Sequence, residues 1–354
     1  METVIADLQH AGADVMQNIL QYAGRVLRNG GLVVFPTETV YGLGADATDE
    51  EAAKKIYAAK GRPSDNPLIV HVRTPADARC YTYTTPLFDK LAAAFMPGPL
   101  TVVMPVRENI PRTVTAGLST VAIRCPSHPI AHALLDAAGV PIAAPSANLS
   151  GSPSPTCARH VIEDMRGRVN MILDGGDSEI GVESTIVKIE PDETLTLLRP
   201  GGITIEMLRT VTPDIRIAEA VLGSLPEGAV ALSPGMKYRH YAPKVPVYLL
   251  DGGREEVAEY LHQKTDCFAL ICYQEDLSYF HAVLSGGTCF SFGSQQDRAG
   301  QAHCLFTLLR EIDKQGFDEI YAPLPPTDGI GMALYNRMIR AAAHQIIRLK
   351  TERK

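Results

Sequence analysis

The chain lacks the sequence signatures of several common enzyme classes. It contains no G-x-x-x-x-G-K-[ST] loop, so an ordinary P-loop enzyme is excluded, and it contains no Gly-x-Ser-x-Gly elbow. Gly329-Ile330-Gly331, before the last predicted helix, lacks the third glycine of a dinucleotide fingerprint, and we interpret it as a tight strand-to-helix turn. No covalent nucleophile is indicated.

Long apolar runs and a targeting segment are also missing. No run approaches membrane-spanning length, and residues 1–10 mix charged with short apolar residues, so we expect no signal peptide. The seven cysteines are scattered and odd in number, which favours buried thiols in a reducing cytoplasm. Their spacings match no tight zinc pattern, and Cys267 and Cys272 lie in an apolar run, so no metal site is predicted. We expect a cytoplasmic protein without membrane contact.

The overall composition is that of a globular protein. The 354 residues are 45% hydrophobic and 21% charged, which allows two domains with full cores. The formal net charge of −7 argues against a stand-alone nucleic-acid binder, because such proteins need a basic field to neutralise phosphates. Any RNA contact would require a local basic patch.

Hydrophobic patterns predict a first block of mixed strands and helices. Strands are predicted at 32–36, 68–73, 99–106, 119–125, 141–145, 170–174, 184–190 and 194–199. Helices are predicted at 11–29, 49–60, 75–94, 128–138, 155–166 and 203–210. Because several strands follow one another without a helix between them, we expect α/β architecture of the mixed α+β kind, with a mixed sheet flanked by helices.

A second block alternates more regularly. Strands are predicted at 246–250, 267–273, 288–292 and 318–322, with helices at 254–264, 296–315 and 330–347. This alternation predicts a smaller, Rossmann-like parallel α/β domain. We therefore predict a catalytic domain over residues 1–212, a linker over 213–245 and a C-terminal domain over 246–354.

The predicted linker contains an unusual segment, SPGMKYRHYAP at residues 233–243. It concentrates Lys, Tyr, Arg, His and Tyr between two prolines, whereas ordinary linkers are short of aromatics. A functional lid or tether would have this composition, and so would a linker whose tyrosines dock on a domain surface. Composition alone does not separate the two.

The motif PTETVYGLG, at residues 36–44, follows the apolar strand that ends at Phe35. It brings two hydroxyls, a carboxylate and two glycines to a place where the backbone can approach a ligand closely. The next helix is expected to begin with a capping box of Thr48 and Glu51 and to stop at Gly61.

Lys60 and Arg62 then lie at the exit of this helix. Such cations commonly complement the helix dipole and bind the last carbonyls. Here a Ser-Asp-Asn loop between Pro63 and Pro67 follows at once, and His71 lies in the next apolar strand. This convergence of polar groups favours an anion-binding site.

Arg124 lies inside the otherwise apolar strand at 119–125. An unpaired guanidinium would be costly to bury, so we expect a carboxylate partner, from the protein or from a ligand. The loop at 145–151, PSANLSG, could wrap a phosphate or a base, or it could be a simple turn. Arg199 before two glycines suits a phosphate clamp.

Together these segments resemble the YrdC-type threonylcarbamoyl-AMP synthases, in their longer two-domain form. PTETVYGLG, Lys60-x-Arg62, STVAIR, Ser146-x-Asn148, ESTIV, LRPG and the linker segment occur in the expected order. The resemblance covers about residues 30–202 and the linker, and it becomes weak in the C-terminal block.

The resemblance implies adenylate-forming chemistry, in which L-threonine, bicarbonate or CO2, and ATP give threonylcarbamoyl-AMP and pyrophosphate. The threonine pocket would contain Thr39, His71, Arg124, Ala144 and Ser184, with Arg124 on the substrate carboxylate. The nucleotide would be held by Arg62, Asn66, Thr120, Ser146, Asn148, Ser154, Arg199, Tyr238 and His240. Lys60 and Arg62 would be the catalytic residues through their charge near the phosphates, and Tyr238 and His240 would close over the site.

The implied cofactor chemistry is ATP as a substrate, with magnesium bridging its phosphates and retaining several waters. The implied partners are tRNA threonylcarbamoyl transferase proteins that consume the product to modify ANN-decoding tRNAs, and a weak direct contact with tRNA is compatible with this role.

Two alternatives remain at this point: an RNA-binding module that uses the basic face around Lys60, Arg62 and Arg124, and a carbamoyl transferase related to hydrogenase maturation proteins. The second of these would carry acylphosphatase and zinc-finger segments, which are not visible in the sequence.

Overall fold

The computed structural model describes residues 2–223, 241–265 and 267–349. These residues form two compact units. The first contains residues 2–150 and 154–223, and the second contains residues 151–153 together with the described residues from 241 onward.

The first unit contains eleven strands and seven helices among its described residues. The strands are β1 (Val4–Asp7), β2 (Val33–Phe35), β3 (Gly42–Asp46), β4 (Ile69–His71), β5 (Leu100–Pro105), β6 (Thr120–Arg124), β7 (Ile142–Ala143), β8 (Met171–Asp174), β9 (Thr185–Ile189), β10 (Leu195–Arg199) and β11 (Ile215–Ile217). The helices are α1 (Ala13–Arg28), α2 (Glu50–Lys60), α3 (Pro86–Phe95), α4 (Arg112–Thr115), α5 (Pro129–Ala138), α6 (Ala158–Met165) and α7 (Ile205–Arg209), with 3-10 turns at Pro75–Cys80 and Glu219–Val221.

All eleven strands belong to one mixed sheet, in the order β1-β8-β2-β3-β7-β4-β6-β5-β9-β10-β11. In its middle, β4 and β6 are parallel, whereas β5 is antiparallel to β6 and β7 is antiparallel to β4. The short strands β2 and β4 are buried along their whole length, as expected for apolar strands covered on both faces.

Helices α1 and α5 pack closely beside this sheet. Leu20, Ala23 and Leu27 on α1 are buried, and a Cβ added at Gly24 would lie only 2.4 Å from the carbonyl oxygen of Ala137. Glycine therefore allows the two helix backbones to approach each other. Arg28 donates hydrogen bonds to the carbonyls of Ala137 and Ala138, which are otherwise left over at the end of α5.

The second unit contains a smaller sheet in which every pairing is parallel. Its strands are β12 (Val247–Asp251), β13 (Phe268–Cys272), β14 (Thr288–Ser291), β15 (Glu319–Pro323) and β16 (Ile346–Arg348), in the order β14-β13-β15-β12-β16. Its helices are α8 (Arg254–His262), α9 (Leu277–Val283), α10 (Arg298–Asp313) and α11 (Gly331–Ala341), with a 3-10 turn at Gln274–Asp276. The predicted fold class, a large mixed sheet plus a smaller parallel α/β domain, is confirmed.

The helices of the second unit also bury charge. Arg310 on α10 donates two hydrogen bonds to the carbonyl of Pro153, and the guanidinium of Arg337 on α11 lies 5.5 Å from the centre of the Tyr241 ring. Tyr241 stacks on Phe306, with ring centres 5.3 Å apart. Residues 151–153 and 241 are thereby anchored within this unit.

Two predicted helices differ from the structure: one is interrupted and the other ends early. In the range 75–94, a 3-10 turn ends at Cys80 and α3 begins only at Pro86. A proline disfavours helical backbone angles at the residue before it and is itself favoured at the first position of a helix. The helix predicted over 330–347 ends at Ala341, since Ala343 and His344 adopt left-handed backbone angles before β16.

The predicted capping box of α2 is also wrong. Asp49 is the N-cap and accepts hydrogen bonds from the N–H groups of Glu51 and Ala52, whereas the Thr48 hydroxyl donates to Asp46. The predicted stop at Gly61 is confirmed, because this residue has a φ of 62°.

Several elements are absent from the sequence-based prediction. These are β1, β3, β11, β16, α4 and α9. β3 contains two glycines, which are poor strand formers, yet a Cβ at Gly44 would lie 2.7 Å from the side chain of Ile142. Close packing therefore requires the glycine there. β11 pairs with β10 although the sequence places residues 215–217 in a linker.

Candidate active site

The centre of the site is set by the register of three neighbouring strands. The last residue of β4, His71, lies beside the last residue of β6, Arg124, and Arg124 lies beside Thr101 of β5. The sheet therefore brings an imidazole, a guanidinium and a hydroxyl-bearing residue to adjacent backbone positions.

Arg124 forms a buried ion pair with Glu38. Its Nη2 donates to Glu38 Oε1 at 2.7 Å, and each residue is only 4% exposed. The carboxylate partner expected for Arg124 thus comes from the protein, within the PTETVYGLG motif. Burial favours the neutral carboxyl, but the charge and the hydrogen bond of Arg124 outweigh it and hold the pKa of Glu38 below its usual value.

The pair leaves two polar atoms unsatisfied. Glu38 Oε2 and Arg124 Nε are both buried and have no hydrogen-bond partner among the described residues. A fork of this kind can bind a carboxylate through two parallel N–H groups, but only one of them is used here.

His71 is a neutral imidazole. Burial, followed by the positive charge of Arg124, lowers the pKa of His71 to about 3. Its Nδ1 lies 3.3 Å from the carbonyl oxygen of Ile142, so this contact assigns the proton to Nδ1 and leaves Nε2 as an acceptor. The rings of His71 and Phe35 are nearly perpendicular, with their centres 6.0 Å apart.

Hydroxyl groups flank this centre on the PTETVYGLG motif. Thr37 Oγ1 donates to the carbonyl of Val40 at 2.6 Å, so the Thr39 hydroxyl, 2.9 Å away, is the donor in the bond between the two threonines. Both threonines are buried, and Thr39 retains acceptor capacity on its hydroxyl oxygen.

Ser184 is fixed by two buried neighbours. Its hydroxyl lies 2.8 Å from Thr101 Oγ1, and Arg199 donates to both its carbonyl and its hydroxyl at 3.1 and 3.2 Å. The sequence analysis does not predict Thr101 as a site residue. A threonine inside an apolar strand could have indicated a buried hydrogen bond at this position. Ala144, the remaining predicted member of the threonine pocket, is buried and donates its N–H to the carbonyl of Ile69.

Lys60 braces the PSANLSG loop. Its buried Nζ donates to the carbonyls of Ser146 and Asn148 at 2.6 and 2.5 Å, and the Lys60 carbonyl accepts the N–H of Ser150. Ser146 Oγ in turn donates to Asn148 Oδ1 at 2.6 Å. The structure thus brings together the Lys-x-Arg and Ser-x-Asn motifs that the sequence separates by more than eighty positions.

Arg62 organises the loop that follows α2. Its guanidinium donates to the carbonyls of Asn66 and Pro67 at 3.1 to 3.3 Å. Asn66 is 1% exposed, and its Oδ1 has no hydrogen-bond partner within the described part of the chain. A buried amide oxygen of this kind can accept a hydrogen bond from a ligand.

The other predicted nucleotide residues are more dispersed. Ser154 is buried and donates to Glu183 Oε1 at 2.5 Å. Thr120 begins β6, four residues from Arg124, which corresponds to about 13 Å along a strand. Tyr238 and His240 lie outside the described residues.

The described ranges contain neither a metal cluster nor a membrane-spanning helix. Within them, no group of three or more His, Cys, Asp or Glu residues could hold a metal ion. No helix there is both long and apolar enough to cross a bilayer.

Two family models match most of the chain. A family model described as "Telomere recombination", which covers Sua5, YciO and YrdC proteins, matches residues 25–201, and one described as "Threonylcarbamoyl-AMP synthase, C-terminal domain" matches residues 203–343. The chain is 42% identical over 335 residues to the threonylcarbamoyl-AMP synthase of Pyrococcus abyssi, covering 93% of this chain and 96% of that protein. The chain belongs to the threonylcarbamoyl-AMP synthase family.

Further relatives extend the comparison. The threonylcarbamoyl-AMP synthase of Bacillus subtilis is 44% identical, with 92% of this chain and 93% of that protein covered. The crystal structure of Pyrococcus abyssi Sua5 complexed with L-threonine has a TM-score of 0.88 and 39% identity, covering 98% of this chain and all of that chain. As a member of this family the chain is an enzyme, a transferase that makes an AMP-linked product for tRNA modification. The resemblance and the enzyme class inferred from the sequence are confirmed.

Proposed function

We propose that this threonylcarbamoyl-AMP synthase condenses L-threonine, bicarbonate or CO2, and ATP into threonylcarbamoyl-AMP and pyrophosphate. The product would be consumed by tRNA threonylcarbamoyl transferase proteins that modify ANN-decoding tRNAs. We also propose that the protein is cytoplasmic and that it contacts tRNA weakly.

The observation that carries the proposal is Arg124. Its guanidinium is buried beside His71 at the end of β6, and its Nε is still available to an anion. A small buried carboxylate fits this position better than a nucleic-acid backbone, which needs an exposed basic surface. The solved complex of Pyrococcus abyssi Sua5 contains L-threonine, which supports the same ligand here.

We assign the threonine pocket to Thr39, His71, Arg124, Ala144 and Ser184. Arg124 would bind the carboxylate of the amino acid. The neutral His71 offers an acceptor through Nε2, and the Ser184 hydroxyl is already oriented by Thr101 and Arg199. Such pre-positioned polar groups reduce the cost of ordering the substrate.

We assign ATP binding to Arg62, Asn66, Thr120, Ser146, Asn148, Ser154, Arg199, Tyr238 and His240. Arg62 and Lys60 would act catalytically, Arg62 by stabilising charge on the phosphates as the carbamate attacks the α-phosphorus in line. Because Lys60 binds two loop carbonyls, its contribution includes holding Ser146 and Asn148 in place.

Magnesium is proposed to arrive with ATP and to be held mainly by phosphate oxygens and water. Mg²⁺ commonly binds substrate phosphates, retains several waters and takes few protein ligands. When bound, magnesium would neutralise phosphate charge.

The proposal is tested by pyrophosphate release from ATP in the presence of bicarbonate. We expect release with L-threonine, much less with L-serine or L-valine, and none without an amino acid. Release that is independent of the amino acid, or RNA binding without any pyrophosphate, would contradict the assignment.

A further inference from the structure

The Glu38–Arg124 pair is joined by a single hydrogen bond, although both groups could make more. Arg124 Nη2 donates to Glu38 Oε1, whereas Arg124 Nε and Glu38 Oε2 lack partners among the residues that the structure describes. The two unsatisfied atoms are therefore one donor and one acceptor, each on a charged group and each adjacent to the existing bond.

Leaving such atoms unsatisfied in the interior is unfavourable. Buried polar atoms are nearly always hydrogen-bonded, and the penalty is larger for charged groups. Each exception in a native protein requires an explanation, and a functional role is one of them. The location supports this explanation, since Glu38 precedes Thr39 in the motif and Arg124 is beside His71.

The chemistry of the two atoms defines their ligand. Arg124 Nε–H requires an acceptor, preferably an anion, and Glu38 Oε2 requires a donor, preferably a cation. A ligand that satisfies both must carry an anion and a cationic donor close together. An α-amino acid does so, because its carboxylate and its ammonium are attached to the same carbon.

The charge balance points in the same direction. The pair is neutral overall, so a buried ligand of net charge would leave an uncompensated charge, which is costly. A zwitterion adds one positive and one negative charge, each facing its opposite. Glu38 is suited to this role because the charge and the hydrogen bond of Arg124 outweigh the effect of burial and keep the carboxylate ionised.

We propose that Glu38 is the specificity-determining residue for the substrate amino group, with Oε2 binding the ammonium of L-threonine while Arg124 Nε binds its carboxylate. The inference rests on the proposed function, since it takes L-threonine as the ligand of Arg124. Arg124 alone would accept many carboxylic acids. Glu38 makes the amino group, the atom that becomes the carbamate nitrogen, a requirement for binding.

The test compares two ligands on two proteins. L-Threonine is compared with 3-hydroxybutanoate of matching configuration, which keeps the carboxylate, the hydroxyl and the methyl group but lacks the amino group. Their dissociation constants are measured by calorimetry on the full-length protein and on Glu38→Gln. The amide can still accept the hydrogen bond from Arg124, but it no longer attracts a cation.

The expected result differs between the two ligands. The wild-type protein should prefer L-threonine by at least about 100-fold, since a charge-assisted hydrogen bond is lost with the analogue. In Glu38→Gln, the affinity for L-threonine should fall by about 30- to 100-fold, because the amide no longer attracts the ammonium. The affinity for 3-hydroxybutanoate should stay the same or rise, because the site has lost a negative charge. Glu190→Gln, a carboxylate that binds Lys188 and Thr196, is the matched control and should change neither constant.

Equal weakening of both ligands by Glu38→Gln would overturn the inference, since Glu38 would then act only by holding Arg124. Equal affinity of the wild-type protein for the two ligands would also overturn it, and this outcome does not depend on any variant folding. ATP affinity serves as the check that Glu38→Gln is folded. If the wild-type protein neither binds L-threonine nor releases pyrophosphate with it, the proposed function itself fails; if it does both and Glu38→Gln keeps the full preference, only the role of Glu38 fails.

Discussion

The two sheets of this molecule bury different kinds of side chain. In the first unit, Arg124, His71 and Arg199 lie buried at the ends of strands. In the second unit, the buried ring of Tyr321 on β15 is surrounded by Phe268, Tyr248 and Tyr260, with ring centres 5.5 to 5.9 Å away. Aromatic burial stabilises a fold directly, whereas buried charge costs free energy unless it is fully paired. We therefore expect substitutions on the first sheet to change activity and those on the second to change stability alone.

The largest effect is expected for Arg124→Ala. Activity should fall by at least about 1000-fold, because substrate charge is no longer bound. The free energy of unfolding should fall by about 3–5 kcal/mol, because Glu38 is left as a buried, unpaired carboxylate. Threonine-dependent pyrophosphate release and urea unfolding measure the two quantities. The double variant Glu38→Leu/Arg124→Met should recover stability without recovering activity, and recovery of both would show that the pair is only structural.

His71 should make stability dependent on pH. Its pKa in the folded protein is about 3 and its usual value is 6.5, so between these values the unfolded chain binds more protons than the folded one. Stability should therefore fall as the pH falls from 6.5, by up to about 1.4 kcal/mol per pH unit from this one group. Unfolding measured from pH 7 to pH 5 should show a flatter profile for His71→Asn.

The control for this experiment lies in the second unit. The pKa of His344 is also lowered, by partial loss of hydration and by the charge of Arg340, but the side chain is exposed to solvent. Its left-handed backbone, with a φ of 63°, tolerates asparagine. His344→Asn should change the profile much less than His71→Asn, and equal changes would mean that burial at the site does not govern the titration.

A smaller effect is expected for Ser184→Ala. The change removes the hydroxyl that contacts Thr101 and Arg199, so about 1–3 kcal/mol of stability should be lost. Activity should fall by about 10- to 100-fold through a higher KM for L-threonine. A normal KM would remove Ser184 from the proposed threonine pocket.

The smallest effect is expected for Phe268→Leu, in the aromatic cluster of the second unit. Stability should fall by about 1–1.5 kcal/mol through imperfect repacking. The values of kcat and KM should remain within about twofold of the wild type, measured at a temperature where both proteins are folded. A large loss of activity would show that the chemistry depends on this sheet as well.

The sequence predicts most of the fold where hydrophobic pattern and local geometry agree. Strands such as β5, β6 and β13 are apolar and bounded by turns, and they occur within two residues of their predicted limits. The sequence does not predict β3, because its glycines are required by tertiary contacts with Phe35 and Ile142 and no local pattern shows these contacts. The proline at 86 should have ended the helix predicted over 75–94.

The site was predicted in part. A buried arginine in an apolar strand implies a carboxylate, but which carboxylate depends on a contact across 86 positions of sequence. One sequence feature points to the correct carboxylate: Glu38 is the only acidic residue in the motif at 36–44. The neutrality of His71 was not predictable, because it follows from complete burial beside Arg124 rather than from the residue type.

The neutral ion pair beside His71 has a consequence for how the enzyme responds to ionic strength. Dissolved salt weakens interactions between net charges that are exposed to solvent and has little influence on buried, mutually compensated ones. If Glu38 and Arg124 receive a zwitterion, the affinity for the amino acid should hardly change between low and high salt. The affinity for ATP, a polyanion, should fall over the same range. The enzyme would therefore bind the amino acid with an affinity that is almost independent of ionic strength, whereas its affinity for ATP would depend on it.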